Sequence, residues 1–152
     1  MGEKKVKGRK RHILVDTEGL LVQAAVTGAD FGDREGLLKL IFRAGKLLES
    51  TKLIWADMGY QGEKAKNWVS QFGIKLEIVR CPLKGMWVHR ETDISSLKFE
   101  EGFKVLPKRW IVERTFAWMS KYRRLSKDYE YFPSTTESMM YISMSRLMLK
   151  RN

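Results

Sequence analysis

The chain has 152 residues, of which 43% are hydrophobic and 31% charged, enough for one domain with its own core. No apolar run approaches the roughly 20 residues that span a bilayer, the basic start "MGEKKVKGRKRH" lacks the apolar centre of a secretory signal, and the single cysteine, Cys81, excludes an internal disulfide and suits a reducing cytoplasm. The 29 Lys and Arg outnumber the 18 Asp and Glu, giving a net charge of +11, which points to a polyanionic partner, nucleic acid above all; a solvated basic surface is the plainer alternative.

Residues 1–11 form a basic segment that reads either as an arm on phosphates or as a solvated start. His12 to Asp16 ("HILVD") reads as a strand, "TEG" as a turn, and Leu20 to Gly28 as the hairpin partner. Asp33 is placed to cap a helix on which Leu37, Leu38, Ile41, Ala44 and Leu48 recur at helical spacing. Lys52 to Asp57 reads as a strand buried on both faces, Lys64 to Phe72 as a short helix, and Ile74 to Arg80 as a further strand. Residues 81 to 104 read as a loop, after which Pro107 opens a helix running through "RWIVERTFAWMSKYRRL". Ser134 to Glu137 ("STTE") has the form of a capping box for the last helix, whose Met140, Met144, Leu147 and Met148 make a core stripe rather than a binding groove. A hairpin followed by alternating helices and strands implies an α/β fold, a mixed sheet covered by helices.

Two carboxylates stand out. "LIWADMGY" runs an apolar strand straight into Asp57 and then turns at Gly59. In open α/β sheets ligands gather at the carboxyl ends of strands, and a carboxylate there can hold a divalent cation. An Asp at a strand end also caps a following turn, and that reading stands beside the first. Glu113 shares a stripe of its helix with Arg109, Ala117, Ser120 and Arg124, while Ile111, Thr115, Trp118, Met119 and Tyr122 fall on another, more apolar stripe. Arg109, one turn earlier, either pairs with it or holds a phosphate. Taken together, two acids from a strand end and a neighbouring helix suit phosphoryl chemistry on DNA, where carboxylates hold paired cations about 4 Å apart and surrounding Lys and Arg hold the polyanion.

"KGRKRHILVDT", "LIWADMGY", "VLPKRWIVERTFAWMSKYRRLSKDYE" and "MMYISMSRLML" together resemble bacterial insertion-sequence transposases of the DDE superfamily, over nearly the whole chain. The branch resembled carries a Tyr-x2-Arg-x3-Glu-x6-Lys signature. Arg109 and Glu113 match its Arg-x3-Glu part; Leu106 stands at the Tyr position and Ser120 at the Lys position, with Lys121 next. The resemblance implies a ribonuclease H-like fold, two Mg²⁺ or Mn²⁺ ions held in part by Asp57 and Glu113, transposon-end and target DNA as substrates, and an oligomer when active in the bacterial cytoplasm, at the nucleoid. It also implies a first acid on a first strand upstream of the segment like "KKVKGRKRHILVD". Only eleven residues precede His12, and none is a strand-borne Asp. Residues 12–152 are therefore expected to be the C-terminal part of such a catalytic domain, lacking the first strand and needing an upstream transposase segment. Asp16 should lie at the wrong end of the sheet. Asp30 and Asp33 should lie at the correct end but about 10 Å off, two strand spacings away.

Arg123 and Arg124 are expected at phosphates, with a solvated helix end as the alternative. Trp87, in "KGMWVHR", is a candidate for stacking on a base, with packing under its loop as the alternative; the other tryptophans read mostly as core. Cys81 and His89 lack the companions a zinc site needs. Two further functions compete with a nuclease: a basic remnant that holds DNA or a transposase without chemistry, and a metal-dependent phosphohydrolase on small substrates, which leaves the charge unused.

Overall fold

The computed structural model describes residues 8–79 and 109–151. The first pair of strands is an antiparallel hairpin, β1 (Arg9–Val15) and β2 (Leu21–Gly28), with Ile13 opposite Ala24 and His12 opposite Ala25. Strand β1 begins three residues before His12, so Arg9 to Arg11 belong to the sheet. Asp16 lies just beyond it, where its carboxylate accepts the backbone N–H groups of Glu18 and Leu20 and so shapes the turn. Gly19 takes φ 82° there, and a Cβ at that position would lie 2.9 Å from the Thr115 hydroxyl, which donates to the Gly19 carbonyl.

Helix α1 (Asp33–Ala44) follows. Its cap is Gly32, one residue before the expected Asp33, and the Glu35 carboxylate reaches back to the Gly32 N–H. Next come β3 (Leu53–Asp57), a single 3-10 turn over Met58–Tyr60, α2 (Glu63–Ser70) and β4 (Lys75–Val79). Strands β3 and β4 are parallel, joined through α2. The fold is thus mixed α/β, but the expected single sheet is two two-stranded ones, β1–β2 and β3–β4, among the described residues. Nor is β3 buried on both faces: Ile54 is buried, while Trp55 and Asp57 on the opposite face are exposed.

The long helix expected after Pro107 is broken. Helix α3 (Arg109–Ser120) ends where Tyr122 turns extended, and a short α4 (Arg123–Ser126) restarts from it. Arg124 is therefore not on the Glu113 helix, and the expected stripe stops at Ser120. Helix α5 (Pro133–Leu149) starts from Pro at its first position rather than from a capping box. Glu137 is turned to the sheet instead, accepting the Val26 N–H at 2.8 Å and pairing with Arg43 at 2.8 Å.

Two cores result. One packs α1 and α2 on Ile54 and Leu76 of the β3–β4 pair. The other packs Met119, Leu125, Met140 and Met144 on Leu21, Ala24 and Val26 of β2. The methionine stripe is core, as expected. The tryptophans are less so: none of Trp55, Trp68, Trp110 and Trp118 is fully buried, and Arg114 stacks between Trp110 and Trp118, 4.4 and 4.8 Å from their ring centres.

Candidate catalytic carboxylates

Asp57 ends β3 because the strand passes directly into the 3-10 turn. Its carboxylate caps that turn, accepting the Met58 N–H at 2.6 Å. The tight turn carries Gly59 past Asp33, whose carboxylate oxygen would be 2.6 Å from a Cβ at Gly59. Tyr60 then folds back toward β1, where its hydroxyl lies 3.0 Å from His12 Nδ1. The other ring nitrogen of His12 lies 3.0 Å from the Thr27 hydroxyl. His12, only 2% exposed, thus links both strands of the hairpin to the turn after β3. Burial holds its pKa below the usual 6.5, against the opposing pull of Asp33. Burial, with Asp33 and Asp57 adding, pushes the Tyr60 phenol up to about 12, so it stays protonated at neutral pH.

Glu113 projects from the exposed stripe of α3, opposite the buried Ile111, Thr115 and Met119. It pairs with Arg109 at 3.1 Å, with side-chain exposures of 66% and 36%. Both plainer alternatives are therefore realised: Asp57 caps a turn and Glu113 makes an i,i+4 pair. Neither excludes cation binding, since a carboxylate offers about four lone-pair sites. Asp57 and Glu113 also line one cavity of about 290 Å³, together with Arg11, Arg109, Tyr60 and Phe116. Arg11 was hidden in the basic run at the start of the chain. The alternation in "RKRHILV", which points Arg11 with Ile13 and Val15 and away from His12 and Leu14, was the signal that could have found it.

Asp16 borders a second cavity, of about 370 Å³, with the start of β3, the opposite end from Asp57, as expected. Asp33 lies at the Asp57 end and pairs with Lys10 at 3.1 Å. Lys121, Arg123 and Arg124 are exposed beyond α3, and Arg124 lies 3.0 Å from Glu130. Trp87, Cys81 and His89 lie outside the described residues. Part of the positive charge holds the fold together. Arg9 pairs with Asp128 and donates to the carbonyls of Glu130 and Tyr131, and Arg11 donates to the Leu125 carbonyl at 2.6 Å.

Asp57 and Glu113 are hard oxygen donors of the type that Mg²⁺ and Mn²⁺ take. Among the described residues no group of three or more His, Cys, Asp or Glu could hold a metal ion. The pair therefore fits part of a cation site and leaves it short of a full carboxylate set. No helix among the described residues is long and apolar enough to cross a membrane.

The family model of the transposase DDE domain matches residues 2–148. A transposase assigned to insertion sequence element IS402 of Burkholderia cepacia is 31% identical over 130 residues, covering 81% of this chain and 54% of the relative. The chain thus spans about half the length of the curated relative it matches. No solved structure matches. A mixed α/β chain matched over residues 2–148 by that family model, and 31% identical to such a transposase, belongs to the DDE transposases of bacterial insertion sequences.

Proposed function

We propose that this chain supplies part of the active site for cutting and joining DNA at the ends of an insertion sequence, with Asp57 and Glu113 as two of its metal-holding carboxylates. The observation that carries the reading is their shared cavity, flanked by the guanidinium-bearing Arg11 and Arg109. Divalent cations such as two Mg²⁺ or Mn²⁺ ions bound there would offset the charge that builds on the phosphate oxygens during transfer. The chain's own groups would do the rest. Asp57 and Glu113 would hold the cations, and Arg109 and Arg11 would grip the phosphate beside the reacting one. Lys121, Arg123 and Arg124 would track the backbone, with Trp87 stacking on a base. Water attacks the phosphodiester first, releasing a 3′-hydroxyl, which then attacks target DNA. Two acids among the described residues line this cavity, and in this reading a third comes from an upstream transposase segment within an active oligomer. A ribonuclease H-like sheet is the architecture that would bring them together.

Mn²⁺ binding followed by electron spin resonance, beside nicking of transposon-end DNA in Mg²⁺, tests this. Asp57→Asn and Glu113→Gln should each abolish Mn²⁺ binding; unchanged binding in both variants overturns the site. The isolated chain should nick DNA no faster than background, and robust turnover by it overturns the need for a third acid. The second reading is a DNA-holding module without chemistry. It is favoured by the structural partners both acids already have, Met58 and Arg109. Both readings require DNA binding that weakens steeply with salt, whereas only the first gives Mn²⁺ affinity that depends on Asp57.

A further inference from the structure

The link between α4 and α5 is built the opposite way round from most surface loops, where carboxylates face water and aromatic rings pack inward. Here the Asp128 and Glu130 side chains turn in, with exposures of 19% and 10%. Tyr129, Tyr131 and Phe132 stand out, Tyr131 with 84% of its surface exposed. The loop is held in this form by many anchors. Asp128 accepts the Thr136 hydroxyl at 2.8 Å and the Glu130 N–H at 3.3 Å, and pairs with Arg9 at 3.3 Å. Burial would push its carboxyl up, but these donors outweigh burial and hold the pKa below the usual value, so the anchor stays charged at neutral pH. Arg9 also donates to the Glu130 and Tyr131 carbonyls. Tyr131 and Phe132 meet edge to face, with 4.8 Å between ring centres, which props one ring on the other. Rings that bury so little add little to folding, and exposed apolar groups gathered in one place mark a contact surface. The loop also has a fixed place. Arg9 and Arg11 lie two residues apart in β1, about 7 Å. Arg9 holds the loop, while Arg11 donates to the Leu125 carbonyl of α4 and lines the cavity shared by Asp57 and Glu113.

We propose that Tyr129, Tyr131 and Phe132 form a stacking platform for unpaired bases of single-stranded DNA, whose phosphates are held by Lys121, Arg123 and Lys127. Because the two acids of the link turn inward, the charges this stretch shows to solvent are those three exposed cations. Rings beside cations match bases beside phosphates. An apolar protein surface would meet the rings and leave the cations without counter-charges. Duplex DNA would meet the cations alone, because its base faces are already stacked on one another, so the rings select for an unpaired strand. The link through Arg11 to the carboxylate cavity suits the platform to a strand end freed there. The platform rests on the DNA-holding part of the function proposed above and not on its metal chemistry.

Fluorescence anisotropy on the full chain tests the platform without any catalytic readout. The probes are a labelled oligothymidylate of about twelve nucleotides, within the usual site size, and a mixed-sequence duplex of the same length. Tyr131→Ala should weaken binding to the single strand at least about fivefold and leave duplex affinity unchanged. Tyr131→Trp should keep the wild-type affinity, and Tyr131→Leu should not, since a ring face is needed and not apolar bulk. The salt dependence should keep its slope in Tyr131→Ala and lose about 0.7 of it in Lys127→Ala, which removes one phosphate contact. Equal losses on strand and duplex in Tyr131→Ala, or no loss on either, overturn the platform. Nitration by tetranitromethane, read by mass spectrometry, locates the contact: Tyr129 and Tyr131 should react in the free chain and be shielded by the oligothymidylate. Shielding in the dilute free chain would mean that its own residues cover the rings, and overturns the proposal. Shielding that grows with protein concentration would assign the rings to a second copy and equally overturn it. A chain that binds neither probe refutes the platform and the DNA-holding reading together, whereas duplex binding with no ring dependence on the single strand refutes the platform alone. Ring-dependent strand binding without Mn²⁺ binding leaves the platform standing and counts against the metal site.

Discussion

The two sheets are built differently. The hairpin is buried on both sides: Ala24, Ala25 and Val26 are inaccessible small residues, which let α1 approach one face and α5 the other. It is further tied by Glu137 to the Val26 amide and by Arg9 to the segment before α5. The β3–β4 pair has one well-covered face, over α1 and α2, and carries Trp55 and Asp57 on its exposed face. The half that bears the strand-end acid is thus the less buried one. A carboxylate that is to hold cations, as proposed for Asp57, has to stay hydrated, and a surrounding core would raise the cost of its charge.

The largest test of this contrast lies in the hairpin core. Met140→Ala removes a fully buried side chain from against β2 and should cost about 3 kcal/mol in urea unfolding. Trp55→Ala, on the open face of β3, should cost much less despite the larger residue; equal losses would erase the distinction drawn here. Next is Glu137→Ala, which leaves the buried Val26 N–H without its acceptor and should cost about 2 kcal/mol. Exchange of the Val26 amide would report it directly.

A smaller effect comes from the link between the halves. The folded pKa of His12 is depressed, so the unfolded chain binds its proton more readily. The stability this contributes is intact above about pH 6.5; it should decline as pH falls below that and level off beneath the lower folded value. Urea midpoints measured against pH in wild type and His12→Gln should show this slope only in the wild type. The smallest effect is expected at Arg109→Ala. The exposed pair with Glu113 should contribute no more than about 0.5 kcal/mol, so a large fall in DNA affinity in that variant would belong to phosphate contact and not to folding.

Much of this was legible in the sequence because it is local. The methionine spacing that marks α5 as core, the alternation of Ile74 to Arg80 that marks β4 and the abrupt end of β3 at Asp57 all follow from residue order and period. The position of Glu113 on the hydrated stripe of α3 was legible for the same reason. The break at Tyr122 was not, because helix-forming residues continue on both sides and only the packing of Leu125 under β2 sets the new direction. The capping box failed for a similar reason: Glu137 found a better acceptor role at the Val26 amide, a partner 111 residues away.

Sequence by itself determined most of the elements and the family, since each depends on a short pattern or on matched residues in order. Tertiary structure decided that the acids share a cavity with Arg11, that part of the basic charge serves as internal ties, and that the described strands form two two-stranded sheets. These depend on which distant segments meet, and hydrogen-bonding groups along a strand edge carry no mark in the sequence of whether a partner lies beside them.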